Sequence, residues 1–582
     1  MVTASHNLGP DNGIKMVDAD GGMLATSWEA HAQVLANAPC SEAMGVLEGV
    51  LATVACGGAS IGGILEGGGE KTLAAILSSS GGSVFVARDT RSHSPHLASL
   101  AIRGASLFGA ASTDFGILTT PVLHHIVRMR NIADPPDGRE IIDFGVSPDN
   151  ARSWASELGY GAMVGSAYRW LVGTAGGAEE RLKCLQGDGT MEFNEDVLNE
   201  RQFATFMESG GGGDRGTLHL DGASGVGALK MPGVVAAVND GVVGGTLLRL
   251  EVRNGVGDGE LNESCGAEFV QKERLPPRGF TAEADCGTRL CSFDGDADRL
   301  VYHYFPSSGA HWRLLDGDKL ATLAADFLKT ELDVLGLNEE FSMAVVQTAY
   351  ANGASTAYLE SIGTTLDFAK TGVKFVHHVA EGYDVAVYFE ANGHGTVLFK
   401  AKVVRRLQNM LNKEMRQEAR EAAASWTQTE QDHFERRLIA AQRLLATHQL
   451  VNQAVGDAMT DALLVEAILT CRGWGLEEWD SLYADLPSRQ SKLPVMDRSV
   501  ISCSPNETRV LAPPQLQETL DGHMGTVNKG RCFVRPSGTE DVVRIYAEAA
   551  TQEEADQLAF DAMCAVFDIA GGVGEPPVPF CS

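Results

Sequence analysis

Three aspartates at alternate positions have the most recognisable chemistry in this sequence. Asp294, Asp296 and Asp298 are separated by single residues, and Arg299 follows directly. Residues at this spacing share one face of an extended segment and converge if the backbone curls, and converging carboxylates suit Mg²⁺. A calcium loop beginning at Asp294 is excluded, because its sixth and twelfth positions require Gly and Glu but hold Arg299 and Phe305. An ordinary polar turn is the alternative, although the adjacent guanidinium favours a magnesium loop for phosphoryl chemistry.

A second segment has the composition of a phosphate site. It combines guanidinium groups, hydroxyls and backbone N–H groups around a glycine, supplied by Arg535, Ser537, Gly538, Thr539 and Arg544. Arginine binds phosphate through two parallel charge-assisted hydrogen bonds, each contributing roughly 1.5–3 kcal/mol. Turn formation alone explains the Pro-Ser-Gly order but leaves the preceding arginine without a role. The segment therefore predicts binding of a phosphate dianion.

The segment Glu-Ala-Asn-Gly-His-Gly at 390–395 follows an apolar strand predicted over 385–389. Loops at strand ends are where α/β proteins bind ligands. The Glu390 carboxylate and the Asn392 amide, two residues apart, can hold adjacent sugar hydroxyls. From these residues alone, an ordinary turn is an equal alternative.

The serine and histidine positions are less informative by themselves. Ser5 lies in a loop after a short apolar segment, and loop serines most often form turns or helix caps. The neighbouring His377 and His378 lack the spacing of metal ligands, so packing is predicted for both.

The composition indicates a large globular protein. Hydrophobic residues make up 44% and charged residues 21% of the 582 residues, which predicts large cores and about four domains. The formal net charge of −30 argues against nucleic acid or an anionic membrane as partner, so an anionic substrate would require a local concentration of basic residues. The eleven cysteines contain no C-x-x-C pair, and residues 1–6 show no signal-peptide pattern. Together these features predict unpaired thiols in a reducing cytosol.

Alternating strand and helix signals predict an α/β fold with parallel or mixed sheets. Strands are predicted at 83–87, 113–118, 217–220, 344–348, 385–389 and 542–547. The segment 402–469 is helical and heavily charged, and it is predicted to form solvated surface helices. Ser and four Gly at 209–213 predict a linker, and the loop 221–227 predicts a tight strand-to-helix turn rather than a nucleotide-binding motif.

Taken together and in this order, four segments resemble the active-site loops of the α-D-phosphohexomutase superfamily. They are Thr-Ala-Ser-His-Asn at 3–7 for the phosphoserine loop, Asp-Gly-Asp-Ala-Asp-Arg at 294–299 for the metal loop, Glu-Ala-Asn-Gly-His-Gly at 390–395 for the sugar loop and Arg-Pro-Ser-Gly-Thr-Glu at 535–540 for the phosphate loop. The resemblance covers almost the whole chain, interrupted by the linker and a Gly-rich stretch at 57–69. Ala-Asn in the sugar loop, where other branches have Met and Ser, resembles the branch that acts on N-acetylated hexosamine phosphates.

The resemblance implies a four-domain α/β architecture around a central cleft, with three related mixed-sheet α/β domains and a smaller α+β C-terminal domain. The implied divisions are 1–208, 209–314, 315–470 and 471–582. The implied activity is cytosolic conversion of N-acetylglucosamine 6-phosphate to the 1-phosphate, on the route to UDP-N-acetylglucosamine. The resemblance also implies a monomer that binds its phosphosugar but neither nucleic acid nor membrane.

The resemblance further implies roles for individual residues. Phosphorylated Ser5 gives its phosphoryl group to the sugar, a hexose 1,6-bisphosphate forms and reorients, and the other phosphate returns to Ser5. One Mg²⁺ is held by Ser5, Asp294, Asp296 and Asp298. The catalytic group also includes His6, Lys15 and Arg299, of which the last two balance charge or shuttle a proton, and the general base stays open. The implied substrate-binding residues are Lys374, Glu390, Asn392, Gly393, Arg535, Ser537, Gly538, Thr539 and Arg544.

Two positions depart from the family pattern. Leu8 stands where the family has Pro, and this difference affects the expected stiffness of the serine loop. Phe375 stands where the nearest branch often has His, and this difference affects the expected substrate contacts of the third domain. Phosphoglucomutase or phosphomannomutase activity, or a phosphosugar-binding relative without turnover, are the alternatives.

The beginning of the sequence also departs from the family. Family members open with a strand and a Thr-Ala-Gly-x-Arg loop well before the serine loop. The similar segment at 173–177 is rejected, because Ala178 occupies the arginine position and the segment lies in the wrong part of the chain. We therefore expect an N-terminally incomplete sequence with an exposed sheet edge and little turnover until an upstream segment is supplied.

Overall fold

The computed structural model describes residues 1–25, 27–55, 82–107, 109–135, 146–174, 216–242, 245–309, 311–422, 425–538 and 541–580. The Gly-rich stretch at 57–69 and the predicted linker at 209–213 lie outside these ranges. Within them, no helix is both long and apolar enough to cross a membrane, and the cysteines form no disulfides.

The first unit is built on two parallel strands. Its strands are Ser83–Arg88 (β1) and Ala111–Ile117 (β2), and its helices are Ser27–Asn37 (α1), Ala43–Ala55 (α2), Ser94–Leu107 (α3), Thr120–Ala133 (α4), Pro148–Trp154 (α5) and Glu157–Gly173 (α6). Val2 pairs in parallel with Arg88, so the serine loop begins beside the carboxyl end of β1. Helix α4 opens with Pro121 in its first turn and with the Thr119 hydroxyl accepting a hydrogen bond from the Val122 N–H at 3.3 Å.

The second unit is a five-stranded mixed sheet in the order β4-β3-β5-β6-β7. Its strands are Thr217–Asp221 (β3), Arg249–Arg253 (β4), Arg289–Phe293 (β5), Leu300–Tyr304 (β6) and Arg313–Leu315 (β7), and its helices are Val226–Asn239 (α7), Ala267–Glu273 (α8) and Ala282–Asp285 (α9). The predicted tight turn at 221–227 is confirmed, because it joins β3 directly to α7. The three aspartates lie in the connection between the antiparallel strands β5 and β6.

The third unit is a four-stranded mixed sheet in the order β11-β10-β8-β9. Its strands are Met343–Thr348 (β8), Thr365–Ala369 (β9), Val385–Phe389 (β10) and Gly395–Phe399 (β11), and its helices are Gly317–Leu335 (α10), Gly353–Ser361 (α11) and Val373–Ala380 (α12). Asp316 caps α10 and accepts the Asp318 N–H at 3.1 Å. The predicted sugar loop is the turn between the antiparallel strands β10 and β11.

The helices after β11 are more buried than the sequence predicts. They are Ala401–Asn409 (α13), a π-helical turn at Met410–Glu414, Met415–Ala422 (α14), Gln428–Leu450 (α15), Ala458–Arg472 (α16) and Leu476–Asp480 (α17). Helices α15 and α16 pack against α6 and α10, and the prediction of solvated surface helices is wrong for α16 and for residues 438–450 of α15, most of which are buried. Every residue from 458 to 469 is buried, because neighbouring units cover faces that an isolated helix would expose to water.

The fourth unit has its own core around an antiparallel sheet in the order β12-β16-β15. Its elements are Ser488–Pro494 (β12), a 3₁₀ turn at Arg498–Val500, Ser502–Cys503 (β13), Val510–Ala512 (β14), Pro514–Met524 (α18), Arg531–Pro536 (β15), Val542–Glu548 (β16) and Gln552–Ala570 (α19). Arg531 donates to the Ala349 carbonyl at 2.8 Å, and Glu548 accepts the Gly353 N–H at 3.1 Å. These contacts seat the fourth unit on the loop that follows β8.

The second and third units meet backbone to backbone. The Leu300 N–H donates to the Gly393 carbonyl at 3.1 Å, which joins the end of the metal loop to the sugar loop. Gly393 has φ +85°, and a Cβ there would lie 1.8 Å from the Leu300 carbonyl oxygen. Any side chain at this position would force the two loops apart.

We predict that Gly393→Ala destabilises the protein by at least about 1 kcal/mol, because alanine is strained at positive φ and meets the Leu300 backbone. The measurement is the midpoint of thermal unfolding. Gly104→Ala is the matched control, since a Cβ at this position in α3 meets no atom within 4 Å and alanine is favoured inside helices. Equal midpoints for the two variants would contradict the prediction.

Candidate active site

Ser5 lies among the three aspartates that the sequence predicts as metal ligands. The Ser5 Oγ is 2.8 Å from Asp294 Oδ2, 2.7 Å from Asp296 Oδ1 and 3.4 Å from Asp298 Oδ1. All four residues are buried. The fold therefore brings the serine loop of the first unit onto the aspartate loop of the second.

Lys15 provides a cation beside this cluster. Its ammonium group donates to Asp296 Oδ2 and Asp298 Oδ2 at 2.6 Å each, and its Nζ is 3.3 Å from Ser5 Oγ. Burial by itself would lower the pKa of Lys15, but the Asp296 and Asp298 carboxylates outweigh burial and raise it. Lys15 thus carries a positive charge next to the Ser5 hydroxyl.

The aspartates differ in their electrostatic environments. Burial, together with the other two carboxylates, raises the pKa of Asp294 well above its usual range. Burial also acts to raise the pKa of Asp298, but Lys15, His394 and Arg299 outweigh it and lower that pKa. At Asp294 the repulsion from the other two carboxylates is larger than the attraction from the Lys15 ammonium. The cluster therefore favours binding of a further cation.

The donor set fits a hard divalent metal ion. Asp294, Asp296 and Asp298 each offer a carboxylate oxygen, and these oxygens lie within 4.8 Å of one another. Oxygen ligands without Cys or His are typical of Mg²⁺ rather than Zn²⁺. The residues present therefore fit the predicted magnesium site.

A close backbone approach holds the serine loop against the aspartate loop. A Cβ on Gly295 would lie 2.4 Å from the Ser5 carbonyl oxygen, so only glycine permits this contact. Asn262 donates from its amide to the carbonyls of Ser5 and Asn7 at 3.0 and 2.9 Å. Both contacts orient the Ser5 hydroxyl toward the carboxylates.

Arg299 lies at the edge of the cluster and is held by Glu268. Its Nη1 donates to Glu268 Oε2 at 2.5 Å, and its Nε is 3.9 Å from Asp294 Oδ2 and 4.0 Å from Asp298 Oδ1. The Nε is buried and makes no hydrogen bond with a described residue. Burial and the Arg299 charge lower the pKa of His6 to about 4, so His6 is neutral near pH 7.

The sugar loop borders the same cluster. His394 Nδ1 is 3.8 Å from Asp298 Oδ1. Glu390 Oε1 accepts the Gly372 N–H at 2.9 Å, and Asn392 Oδ1 accepts the His394 N–H at 3.0 Å. The predicted sugar-binding side chains are therefore held in a defined turn directly beside the metal loop.

The fourth unit presents cations in a row across its sheet. Arg535 on β15 lies opposite Arg544 on β16, and Arg544 lies opposite Lys492 on β12. Directly opposed residues of neighbouring strands share a face. The register therefore adds Lys492 to the two arginines predicted from the sequence.

Arg535 is held from two sides. Its Nε donates to the Tyr350 hydroxyl at 3.2 Å, and its Nη1 is 3.8 Å from Glu507 Oε1. Ser537 is buried, with its N–H donating to the Val542 carbonyl at 2.9 Å. The hydroxyl donor predicted at Thr539 lies outside the described residues, while Gly538 is described and exposed.

Lys374 is not brought to the aspartate cluster. It lies in the first turn of α12 and forms an ion pair with Glu29 of α1. Both residues are partly exposed. Its predicted contact with substrate stays a prediction.

Three residues that contact the site were not found from the sequence. The Thr120 hydroxyl donates to Asp296 Oδ2 at 2.6 Å, and Asn262 and Glu268 make the contacts described above. The Thr-Thr-Pro segment at 119–121 is typical of the start of a helix and does not by itself indicate a role in the site. Asn262 and Glu268 belong to no recognisable motif, so only their placement in the fold identifies them.

Three family models match this chain. Residues 316–474 match the model described as "Phosphoacetylglucosamine mutase AMG1, domain III". Residues 506–563 match the C-terminal domain of phosphoglucomutase/phosphomannomutase, and residues 1–38 and 70–135 match the alpha/beta/alpha domain I of the same group.

Individual proteins are similar over nearly the whole chain. Phosphoacetylglucosamine mutase of Oryza sativa subsp. japonica is 42% identical, covering 96% of this chain and 86% of the relative. The crystal structure of Aspergillus fumigatus N-acetylphosphoglucosamine mutase with GlcNAc-6P and magnesium is 34% identical, with a TM-score of 0.74, covering 98% of this chain and 88% of that one. A variant of the Aspergillus fumigatus enzyme with glucose 1,6-bisphosphate is 33% identical, with a TM-score of 0.72 and the same coverages.

We predict that Asp296→Asn weakens the binding of Mg²⁺ by at least about tenfold, because the variant loses a charged oxygen ligand. Isothermal titration with Mg²⁺, or Mn²⁺ titration followed by electron paramagnetic resonance, measures the change. Asp258→Asn removes an equal charge from an exposed loop of the same unit and should leave metal affinity unchanged. An equal loss in both variants would indicate a general electrostatic effect and contradict the assignment.

Proposed function

This chain belongs to the phosphoacetylglucosamine mutase family of the phosphohexomutases, and we propose that it interconverts N-acetylglucosamine 6-phosphate and N-acetylglucosamine 1-phosphate. The reaction is an isomerisation by intramolecular phosphoryl transfer. It supplies the 1-phosphate required for UDP-N-acetylglucosamine synthesis.

One observation carries the proposal, namely the position of the Ser5 hydroxyl among buried carboxylates and beside an ammonium group. Ser5 is the phosphoryl carrier. A hydroxyl at the centre of a divalent-cation site is placed for phosphoryl transfer, where positioning and charge neutralisation matter more than covalent chemistry.

In the forward reaction, the phosphoryl group on Ser5 passes to the free hydroxyl of the phosphosugar. The bond between phosphorus and Ser5 Oγ breaks, a bond to the sugar oxygen forms, and the proton of the sugar hydroxyl ends on Ser5 Oγ, which becomes a free serine hydroxyl. The resulting hexose 1,6-bisphosphate reorients, and its other phosphoryl group returns to Ser5. Phosphate is conserved, so no co-substrate is consumed.

The bound Mg²⁺ supplies charge neutralisation for the transferring phosphoryl group. Asp294, Asp296 and Asp298 would hold it, together with the phosphorylated Ser5. Lys15 adds a second positive charge beside Ser5 Oγ, and Arg299 adds a third at the edge of the cluster. These cations offset the negative charge of the phosphate group at the serine.

The sugar and the non-reacting phosphate are held by separate units. Glu390 and Asn392 hold sugar hydroxyls, and Arg535 and Arg544 bind the phosphate that is not reacting. Ser537 and the backbone at Gly538 complete this phosphate site. The bisphosphate can then reorient between the two sites while the negative charges of both phosphates stay paired with cations.

The same proposal includes the setting of the reaction. The chain acts as a monomer in the cytosol on a small phosphosugar. The net charge of −30 disfavours nucleic acid and anionic membranes as partners. The fit of the aspartate cluster to a metal supports an active mutase over a binding relative without turnover.

We predict that Ser5→Ala abolishes phosphorylation and lowers mutase turnover by more than about a thousandfold, because removal of a nucleophile disables the whole catalytic group. Incubation with glucose 1,6-bisphosphate, followed by intact-mass measurement, should show one added phosphoryl group in the parent and none in the variant. Ser224→Ala is the control, since the buried Ser224 hydroxyl makes no hydrogen bond with a described residue. Persistent phosphorylation of Ser5→Ala would refute the assignment.

We predict that N-acetylglucosamine 6-phosphate is preferred over glucose 6-phosphate by at least about tenfold in kcat/KM, because a site built around the acetamido group leaves its partners unpaired with the simpler sugar. Parallel assays with the two sugars measure the ratio. Equal efficiencies would favour phosphoglucomutase activity instead.

A further inference from the structure

Arg535, the arginine proposed to bind phosphate, already has an anionic neighbour in the structure. Glu507 Oε1 lies 3.8 Å from Arg535 Nη1, and both side chains are largely buried. The other polar partner is the neutral Tyr350 hydroxyl, which accepts from Arg535 Nε at 3.2 Å. One side of the guanidinium is thus oriented by a neutral group and another faces a carboxylate.

Glu507 is a constrained residue rather than a flexible surface acid. It is only 7% exposed and adopts φ +57° in the turn between β13 and β14. Its Oε2 accepts the Thr371 N–H at 3.0 Å, which connects the fourth unit to the third. A buried carboxylate requires compensation, and among the described residues Arg535 forms an ion pair with it.

The positive charge beside Glu507 explains why a carboxylate is tolerated there. Arg535 lies in a row with Arg544 and Lys492 on neighbouring strands, and like charges directly opposite one another destabilise a sheet. Glu507 offsets the charge of Arg535 when no anion is bound. A phosphate dianion at Arg535 would instead lie close to the Glu507 carboxylate and be repelled by it.

We propose that Glu507 is the counter-ion of Arg535 that the substrate phosphate must displace. Glu507 then weakens phosphate binding in the ground state and assists release of the product phosphate. The proposal rests on the proposed function, in which Arg535 binds the non-reacting phosphate. It assigns Glu507 as a residue that sets substrate affinity without touching the reacting atoms.

The test is the substitution Glu507→Gln, which keeps an oxygen acceptor for the Thr371 N–H and removes only the charge. Binding of N-acetylglucosamine 6-phosphate and of inorganic phosphate is measured by calorimetry on the full chain, with Ser5→Ala present in every protein to prevent turnover. We expect Glu507→Gln to bind both ligands at least about threefold more tightly, because a nearby negative charge is lost. In the catalytically intact protein the same substitution should lower KM without raising kcat.

Two matched variants separate charge competition from structural disturbance. Glu507→Asp keeps the charge and should leave phosphate affinity within about twofold of the parent. Tyr350→Phe removes the hydroxyl that orients Arg535 but keeps the ring, which packs on Phe533 and Tyr546, and it should not tighten binding. If Glu507→Gln binds phosphate no more tightly than the parent, or if all three variants tighten equally, the proposal is overturned.

A double-mutant cycle distinguishes this proposal from its premise. Arg535→Ala alone should weaken phosphate binding, and adding Glu507→Gln to it should give little further change, because Glu507 acts through Arg535. If Arg535→Ala weakens binding but Glu507→Gln has no effect in either background, the counter-ion role fails and the function proposed for Arg535 stands. If Arg535→Ala leaves binding unchanged, the premise itself fails and the counter-ion role fails with it.

Discussion

The convergence of three buried carboxylates on one serine hydroxyl is the interaction on which the rest of this structure depends. Buried carboxylates repel one another and lose hydration, so the surroundings must compensate them. Lys15 bridges Asp296 and Asp298, and the backbone N–H groups of Asp298 and Arg299 donate to Asp294 Oδ1 at 3.0 and 3.2 Å. Such an arrangement is tolerated where a divalent cation and a phosphoryl group use it, which is why we interpret the cluster as the catalytic centre.

Assembly of that centre depends on backbone contacts that leave no room for side chains. The serine loop meets the aspartate loop at Gly295, and the aspartate loop meets the sugar loop at Gly393. The aspartate and sugar loops follow strands of different sheets, and the serine loop follows Val2, which pairs with the end of β1. The sheets therefore set the position of the loops, and the glycines set their separation. Close-packed contacts transmit strain rather than absorb it. A small displacement of one unit would therefore shift the serine hydroxyl relative to the carboxylates.

The fourth unit has the opposite electrostatic character from the metal loop. In a chain of net charge −30, it aligns Arg535, Arg544 and Lys492 on one face of its sheet. It is attached to the third unit through Arg531 and Glu548, and Tyr350 packs between the two units. A local row of cations on a separately attached unit gives an anionic substrate a second point of binding in an otherwise acidic protein.

The amino-acid sequence determined the local features by itself. The strand predicted at 385–389 coincides with β10, the turn at 221–227 is as predicted, and the described residues of the four motif segments lie in connecting loops or at strand ends. These features depend on residues close together in the chain, through hydrophobic runs, turn residues and caps. Only the tertiary structure placed Thr120 and Asn262 around Ser5 and the aspartates, and Glu507 beside Arg535. It also reversed the prediction for α16 and for the second half of α15, because burial depends on which units cover a helix, and residues hundreds of positions away in the chain provide that cover.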